Sequence, residues 1–190
     1  MTELPERQIG FDLLGIGTVL KRHRLVVPLN QREYSWEERN VQELFQDLAD
    51  AISSNKQAYF LGAIVLTSGS EGTLEIADGQ QRLATTTILL AAIRDYYYRR
   101  KDDDMVRDLG DFLRTFVRET RENNPRLRLN VTDHEFFDRR ILRPPDDDLR
   151  KHVSLTQPSH ELLARASEMA EQRTSRTYSD RSANRSGTTI

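Results

Sequence analysis

Apolar positions recur along this chain in two rhythms, one helical and one extended, and the changes between them mark out its elements. Leu13 to Arg22 carries a short apolar periodicity that predicts a helix, and Leu25-Val26-Val27-Pro28 predicts a strand closed by proline. Ser35-Trp36-Glu37-Glu38 has the form of a capping box, with Ser35 as N-cap and Glu38 reaching back. The helix it opens places Val41, Leu44, Phe45, Leu48, Ala51 and Ile52 on one face and Gln, Glu and Asp on the other. Tyr59 to Leu66 is an almost unbroken apolar run whose length and β-branched content predict a buried strand. After the turn cluster Ser68 to Gly72, Thr73 to Ala77 predicts a second strand, and Thr85 to Tyr98 an apolar core helix. Met105 to Arg118 predicts a further helix, Leu127 to Val131 a short strand or extended segment, and His134 to Leu142 a helix ending before Pro144-Pro145. Ser159 to Arg173 reads as a last helical stretch. From Thr174 to Ile190 the chain has almost nothing to bury and is expected to be disordered.

Composition narrows what this pattern can be. The 190 residues suffice for one domain with a real core. Lys and Arg number 28 against 30 Asp and Glu, a net charge of -2, so any attraction to nucleic acid must come from local patches. Cysteine is absent, which removes disulfides, thiolate zinc sites and cysteine nucleophiles together. With no apolar signal core after Met1 to Arg7 and no membrane-length apolar run, the expected location is cytoplasmic.

The chemistry concentrates where the hairpin meets the core helix, at Asp78-Gly79-Gln80-Gln81-Arg82. A helix N-terminus presents unpaired backbone N–H groups and the positive end of a dipole. Gly79 permits a sharp turn and close backbone approach, and Arg82 offers a planar fork of donors suited to phosphate oxygens. Gln80 and Gln81 can hydrogen-bond phosphate, water or a base without adding charge, and Asp78 is suited to Mg²⁺ or to orienting a water. The plainer alternative is a turn in which Asp78 caps the helix and Arg82 pairs with an acidic neighbour. That explains Asp78 and Gly79 but not the two glutamines.

A second cluster repeats the chemistry. Gln31-Arg32 follows the first strand and precedes Tyr34 and Trp36, which read as core anchors. Standard nucleotide fingerprints are absent: Gly10 and Gly15 have P-loop spacing, but Ile16 and Gly17 stand where Lys and Ser or Thr are required. His23, His134, His152 and His160 show no metal-ligand spacing, and Asp102 to Asp104 and Asp146 to Asp148 read as solvated loops. Basic groups at Lys21 to Arg24, Arg99 to Lys101, Arg126 with Arg128, and Arg139-Arg140 with Arg143 have mostly acidic neighbours. They form a phosphate-backbone patch only if the fold gathers them.

These blocks resemble a known family. Val27-Pro28 with Gln31-Arg32, Tyr34 and Trp36 is similar to its opening signature, and Phe60-Leu61-Gly62 with Ile64-Val65-Leu66 to its central strand. Asp78-Gly79-Gln80-Gln81-Arg82-Leu83 with Thr85-Thr86 resembles its defining motif, and Arg126 to Leu129 near Asp133 a later block. The family is the N-terminal domain of GmrSD-type, modification-dependent restriction endonucleases, within a broader ParB/sulfiredoxin-like group. The resemblance spans roughly residues 10 to 160. It implies an α+β fold: a ParB/sulfiredoxin-like core with a small sheet, flanking helices and a helical extension. It also implies a domain that binds a nucleoside triphosphate, with hydrolysis left open, and that regulates cleavage of modified foreign DNA.

On that resemblance Gln31, Arg32, Gly79, Gln80 and Gln81 are the nucleotide-binding positions. Asp78 and Arg82 are the catalytic ones, with Asp78 also the Mg²⁺ ligand. Sulfiredoxin chemistry is excluded by the missing cysteine, and Ala84 stands where the family often has Thr. Nothing here resembles an HNH nuclease, so DNA cutting is expected of a separate HNH-type chain or domain. The expected organisation is a family domain over 1–160, a helical stub of a missing C-terminal region over 161–173 and a disordered tail over 174–190. The segment after about Gln172 reads as truncated or frameshifted. Two other readings stay open: a non-enzymatic DNA- or partner-binding module, and an inactive remnant.

Overall fold

The computed structural model describes residues 10–118 and 120–186. A short helix α1, Ile16–Arg22, leads into strand β1, Arg24–Val26, and then through an irregular segment to helix α2, Glu38–Ser53. Strands β2, Val65–Ser68, and β3, Thr73–Asp78, form the expected hairpin and run into the long helix α3, Gln80–Arg99. Helix α4, Asp103–Leu113, is followed by a second hairpin of β4, Arg114–Val117, and β5, Glu122–Pro125. Strand β6, Leu127–Arg128, then helix α5, Val131–Phe136, continue into a π-helical turn over Phe137–Leu142. A 3₁₀ turn over Asp148–His152 precedes the last helix, α6, Pro158–Ser186. The architecture is α+β, as expected.

The main sheet has the order β2-β3-β1-β6. It is mixed: β1 lies parallel to both β3 and β6, while β2 is antiparallel to β3. Because the two parallel neighbours of β1 come from distant parts of the chain, their C-terminal ends collect on one side. That is where the segment after β1, the start of α3 and the start of α5 converge. Leu25, Ile76 and Leu127, one from each of these three strands, are at most 1% exposed.

Helix α3 is the axis of the domain. Twelve of its twenty residues are buried, so apolar side chains surround it instead of forming a stripe. Thr85 and Thr87 return their hydroxyls to the carbonyls of Gln81 and Leu83, each at 2.8 Å, which lets hydroxyl residues sit inside the core. Arg94 is buried too. Its guanidinium donates to the carbonyls of Leu142, Ile141 and Arg143 at 2.6, 3.2 and 2.9 Å, capping the π-helical turn, and pairs with Asp95 at 2.7 Å. Burial pushes the Arg94 guanidinium down from its ordinary value, and Asp95 opposes that.

Several expectations are corrected. Helix α1 begins at Ile16, leaving Leu13 94% exposed. The N-cap of α2 is Glu37, whose backbone N–H donates to Asn40 at 3.2 Å, and not Ser35. Ile52 lies on the exposed side of α2. Tyr59 to Leu66 is not a buried strand: only Val65 onward pairs, at the sheet's edge, and Phe60 is 73% exposed. The helix expected to reach Arg118 stops at Leu113, because Arg114 to Val117 pairs with Glu122 to Pro125. Helix α6 continues past Arg173. Thr174, expected in the disordered tail, is buried and bonds the Ala170 carbonyl at 2.7 Å, and Tyr178 stacks on Tyr96 at 4.8 Å. The tail residues 187–190 lie outside the described residues.

Candidate functional site

The two Gln-Arg clusters meet. Residues 31–35 have no regular secondary structure, yet side chains from two helix starts hold their backbone. From α3, Gln80 donates to the Arg32 carbonyl at 3.2 Å. Gln81 donates to the Glu33 carbonyl at 3.2 Å and accepts from the Ser35 N–H at 3.0 Å. In return Gln31 donates to the carbonyl of Ala77, the next-to-last residue of β3, at 3.2 Å. From the start of α5, Asn130 donates to the Gln31 carbonyl at 3.4 Å, and Asp133 accepts from the Tyr34 N–H at 2.6 Å. Tyr34 is buried, and its hydroxyl lies 2.8 Å from that of Thr85. Burial pushes the Tyr34 phenol well up from its ordinary value, and the bond to Thr85 only partly offsets it. Trp36 packs against the core cluster, so both aromatic residues are the anchors expected of them.

Arg32 is treated differently. Its backbone carbonyl is held, but among the described residues no carboxylate pairs with its exposed guanidinium. It lines a narrow cleft with Val27, Tyr34, Gln80, Gln81, Asn130 and Asp133, among others, with a cavity volume of about 10 Å³. Small-molecule pockets usually offer roughly 300–1,000 Å³. The cleft has room for about one water molecule, and a phosphate or a whole nucleotide would sit outside it, over the exposed Arg32.

At the corner itself Gly79 occupies the N-cap position with φ 93°, in the left-handed region, and no side chain caps the helix. A Cβ there would also sit 3.0 Å from Ile64 and 3.3 Å from the Ala63 carbonyl, so glycine is required twice over. Asp78 therefore does not cap α3, and the N–H groups of its first turn have no intrahelical partners. The Asp78 side chain is 68% exposed and lies 3.6 Å from Arg82. Arg82 turns toward the loop before β2, where its Nη1 is 3.5 Å from the Leu61 carbonyl. Room for it exists only because residue 62 is glycine: a Cβ there would fall 1.7 Å from the same nitrogen.

The structure brings the sequence-predicted residues together in two groups. Arg32, Gln80 and Gln81 line the cleft. Asp78 and Arg82 form a loose pair to one side of it. The glutamines spend their amide N–H groups on backbone carbonyls, so Gln31 and Gln80 retain their carbonyl oxygens for a ligand, and Gln81 has both ends committed to the chain. Asp133 and Asn130 were missed as cleft residues. The signal available was Asn130 three residues before Asp133, the spacing of an N-cap, and Asn130 does accept the Asp133 N–H at 3.0 Å.

Outside this corner several members of the charged runs are taken up by structure. Asp102 caps α4 through the Met105 N–H at 3.1 Å, and Asp147 holds Leu149 N–H at 2.9 Å and Arg143 at 2.8 Å. Lys21 lies over the Phe112 ring, Arg126 donates to the Lys21 and Asp111 carbonyls, and Arg139 pairs with Glu135. Among the described residues no group of three or more His, Cys, Asp or Glu side chains is placed to hold a metal ion. Among them, too, no helix is long and apolar enough to cross a membrane.

Residues 16–185 match the family model described as the GmrSD restriction endonuclease, N-terminal domain. The match runs past residue 160, where the sequence resemblance ends, and takes in α6. No curated protein matches the chain. The chain belongs to the family of GmrSD restriction endonuclease N-terminal domains, and so to the components of a restriction system.

Proposed function

We propose that this member of the GmrSD N-terminal family is the nucleotide-responsive part of its restriction system, binding a nucleoside triphosphate with Mg²⁺ across the corner of Arg32 and α3. The observation that carries this reading is the unpaired Arg32 guanidinium, held by a wired backbone beside an uncapped helix start. An unpaired guanidinium on a backbone-anchored residue beside an uncapped helix start suits a phosphate chain. Asp78 is exposed and only loosely paired, which leaves it free to ligate Mg²⁺. One carboxylate is a usual protein contribution where phosphates supply further ligands.

Hydrolysis is the further step of the same proposal. Arg82, bound firmly neither by Leu61 nor by Asp78, can turn to the terminal phosphoryl group and neutralise its developing charge. Gln31 and Gln80 offer carbonyl oxygens to the sugar, base or attacking water, while Gln81 keeps the wall in place. The domain then regulates cleavage of modified DNA by an HNH-type nuclease domain or chain.

The test is a binding and phosphate-release panel with ATP, GTP, CTP and UTP, each with Mg²⁺. Arg32→Ala should weaken binding at least tenfold with an unchanged melting temperature. Asp78→Asn and Arg82→Ala should lower turnover more than affinity. Wild-type protein that binds none of the four overturns the reading, and binding without turnover removes its catalytic half.

A further inference from the structure

One carboxylate stands between the cleft and the last helix. Asp133 is 1% exposed and lines the cleft beside Arg32 and Tyr34. Its Oδ2 accepts the Tyr34 N–H at 2.6 Å, and its Oδ1 accepts the Ser159 hydroxyl at 2.5 Å. A carboxylate is planar and rigid, so the two contacts cannot shift independently. Ser159 lies in the first turn of α6, beside His160, whose ring stacks on Phe136 at 4.6 Å with Nε2 3.0 Å from the Thr132 carbonyl. Farther along α6, Arg165 pairs with Glu38 at 2.5 Å, just where residues 31–37 enter α2. The segment that carries Arg32 is therefore fixed from one side by α3 and from the other by the start of α6.

We infer that Asp133 is a positioning residue for the Arg32 cleft and ties its geometry to the seating of α6. Whatever loosens the first turn of α6 frees one oxygen of Asp133, lets the carboxylate rotate and releases the Tyr34 N–H. By the reciprocity of linked equilibria, a ligand held by Arg32 tightens the start of α6. This second half rests on the nucleotide reading above; the first does not.

Trp36, the chain's single tryptophan, sits two residues after Tyr34 and reports on the segment without any ligand. Ser159→Ala should raise acrylamide quenching of Trp36 about twofold while unfolding stays cooperative. Ser159→Thr, which keeps the hydroxyl, should restore the wild-type value, and Asp133→Asn should match or exceed Ser159→Ala. Arg173→Ala, which removes only the contact of α6 with Gln46, should leave Trp36 unchanged. The coupling is overturned if Ser159→Ala quenches like wild type, or if Arg173→Ala gives the same rise. With whichever Mg²⁺–triphosphate of the four binds, Ser159→Ala should lower affinity at least threefold, and hydrogen exchange over residues 159–165 should slow on binding. Unchanged affinity also overturns the coupling. Failure of all four to bind sinks the nucleotide reading alone, and the Trp36 measurement still decides this one.

Discussion

In the segment after β1 most backbone polar groups of residues 31–35 are held and the Arg32 side chain is left free. At the corner after β3 the arrangement is inverted: no side chain caps the helix, and Asp78 and Arg82 face each other. Both regions carry glutamine beside arginine, and the difference lies in what each residue can exchange. A glutamine amide both donates and accepts, so it can stand in for a missing strand partner along an irregular segment. A guanidinium only donates, and where no carboxylate is placed beside it its charge stays available to a ligand. Gln81 shows the first use with both ends of its amide; Arg32 shows the second.

The comparison can be broken most directly at Gln81. Gln81→Leu keeps the volume but leaves the Ser35 N–H and Glu33 carbonyl without partners, and should cost about 2 kcal/mol in a urea denaturation midpoint. A loss below about 0.5 kcal/mol would mean that the segment is held by Tyr34 and Trp36 alone. Next, Gly62→Ala should cost about 1–2 kcal/mol from its positive φ and should push Arg82 out of its present place. If Arg82 then moves toward the cleft, triphosphate affinity should hold or rise while stability falls, which separates the two properties in one variant. Gln80→Ala removes one exposed bond and should cost less than about 1 kcal/mol. Asp78→Asn should have the smallest effect on the midpoint, within about 0.5 kcal/mol, because the pair with Arg82 is long and solvated. A larger loss there would show the corner to be a structural salt bridge after all.

How far these features were legible depends on the range of the interactions behind them. Strand β3 and the core helix follow from local pattern and turn chemistry: the strand is where the sequence places it, and the helix covers Thr85 to Tyr98 but begins earlier, at Gln80. Tyr59 and Phe60 were misread because an apolar run does not say whether a strand is central or at an edge, and β2 is an edge strand. The split of the expected Met105–Arg118 helix has a similar cause. Leu113, Phe116 and Val117 satisfy a helical period, but pairing with Glu122 to Pro125 claims Arg114 to Val117 for a strand. Ser35 looked like an N-cap because the capping box is a local pattern, whereas its N–H is claimed by Gln81, forty-six positions away. Thr174 and Tyr178 looked like tail because their neighbours are polar, and the ring that Tyr178 covers, Tyr96, belongs to α3.

The sequence by itself determined the residue types at the corner. A glycine is demanded by a left-handed turn, amides and guanidinium groups are poor core material, and their order along the chain carries the family's signature. These are local requirements, set by backbone sterics and side-chain chemistry. Only the tertiary structure decided which of those groups are spent on the chain and which are left for a ligand. That choice depends on contacts between residues 31–35, 77–82 and 130–133, which come together through the parallel pairing of β1 with β3 and β6. Asp133 is the clearest case: an ordinary acidic residue in a helix start by sequence, and by position the group that joins the Arg32 segment to the last helix.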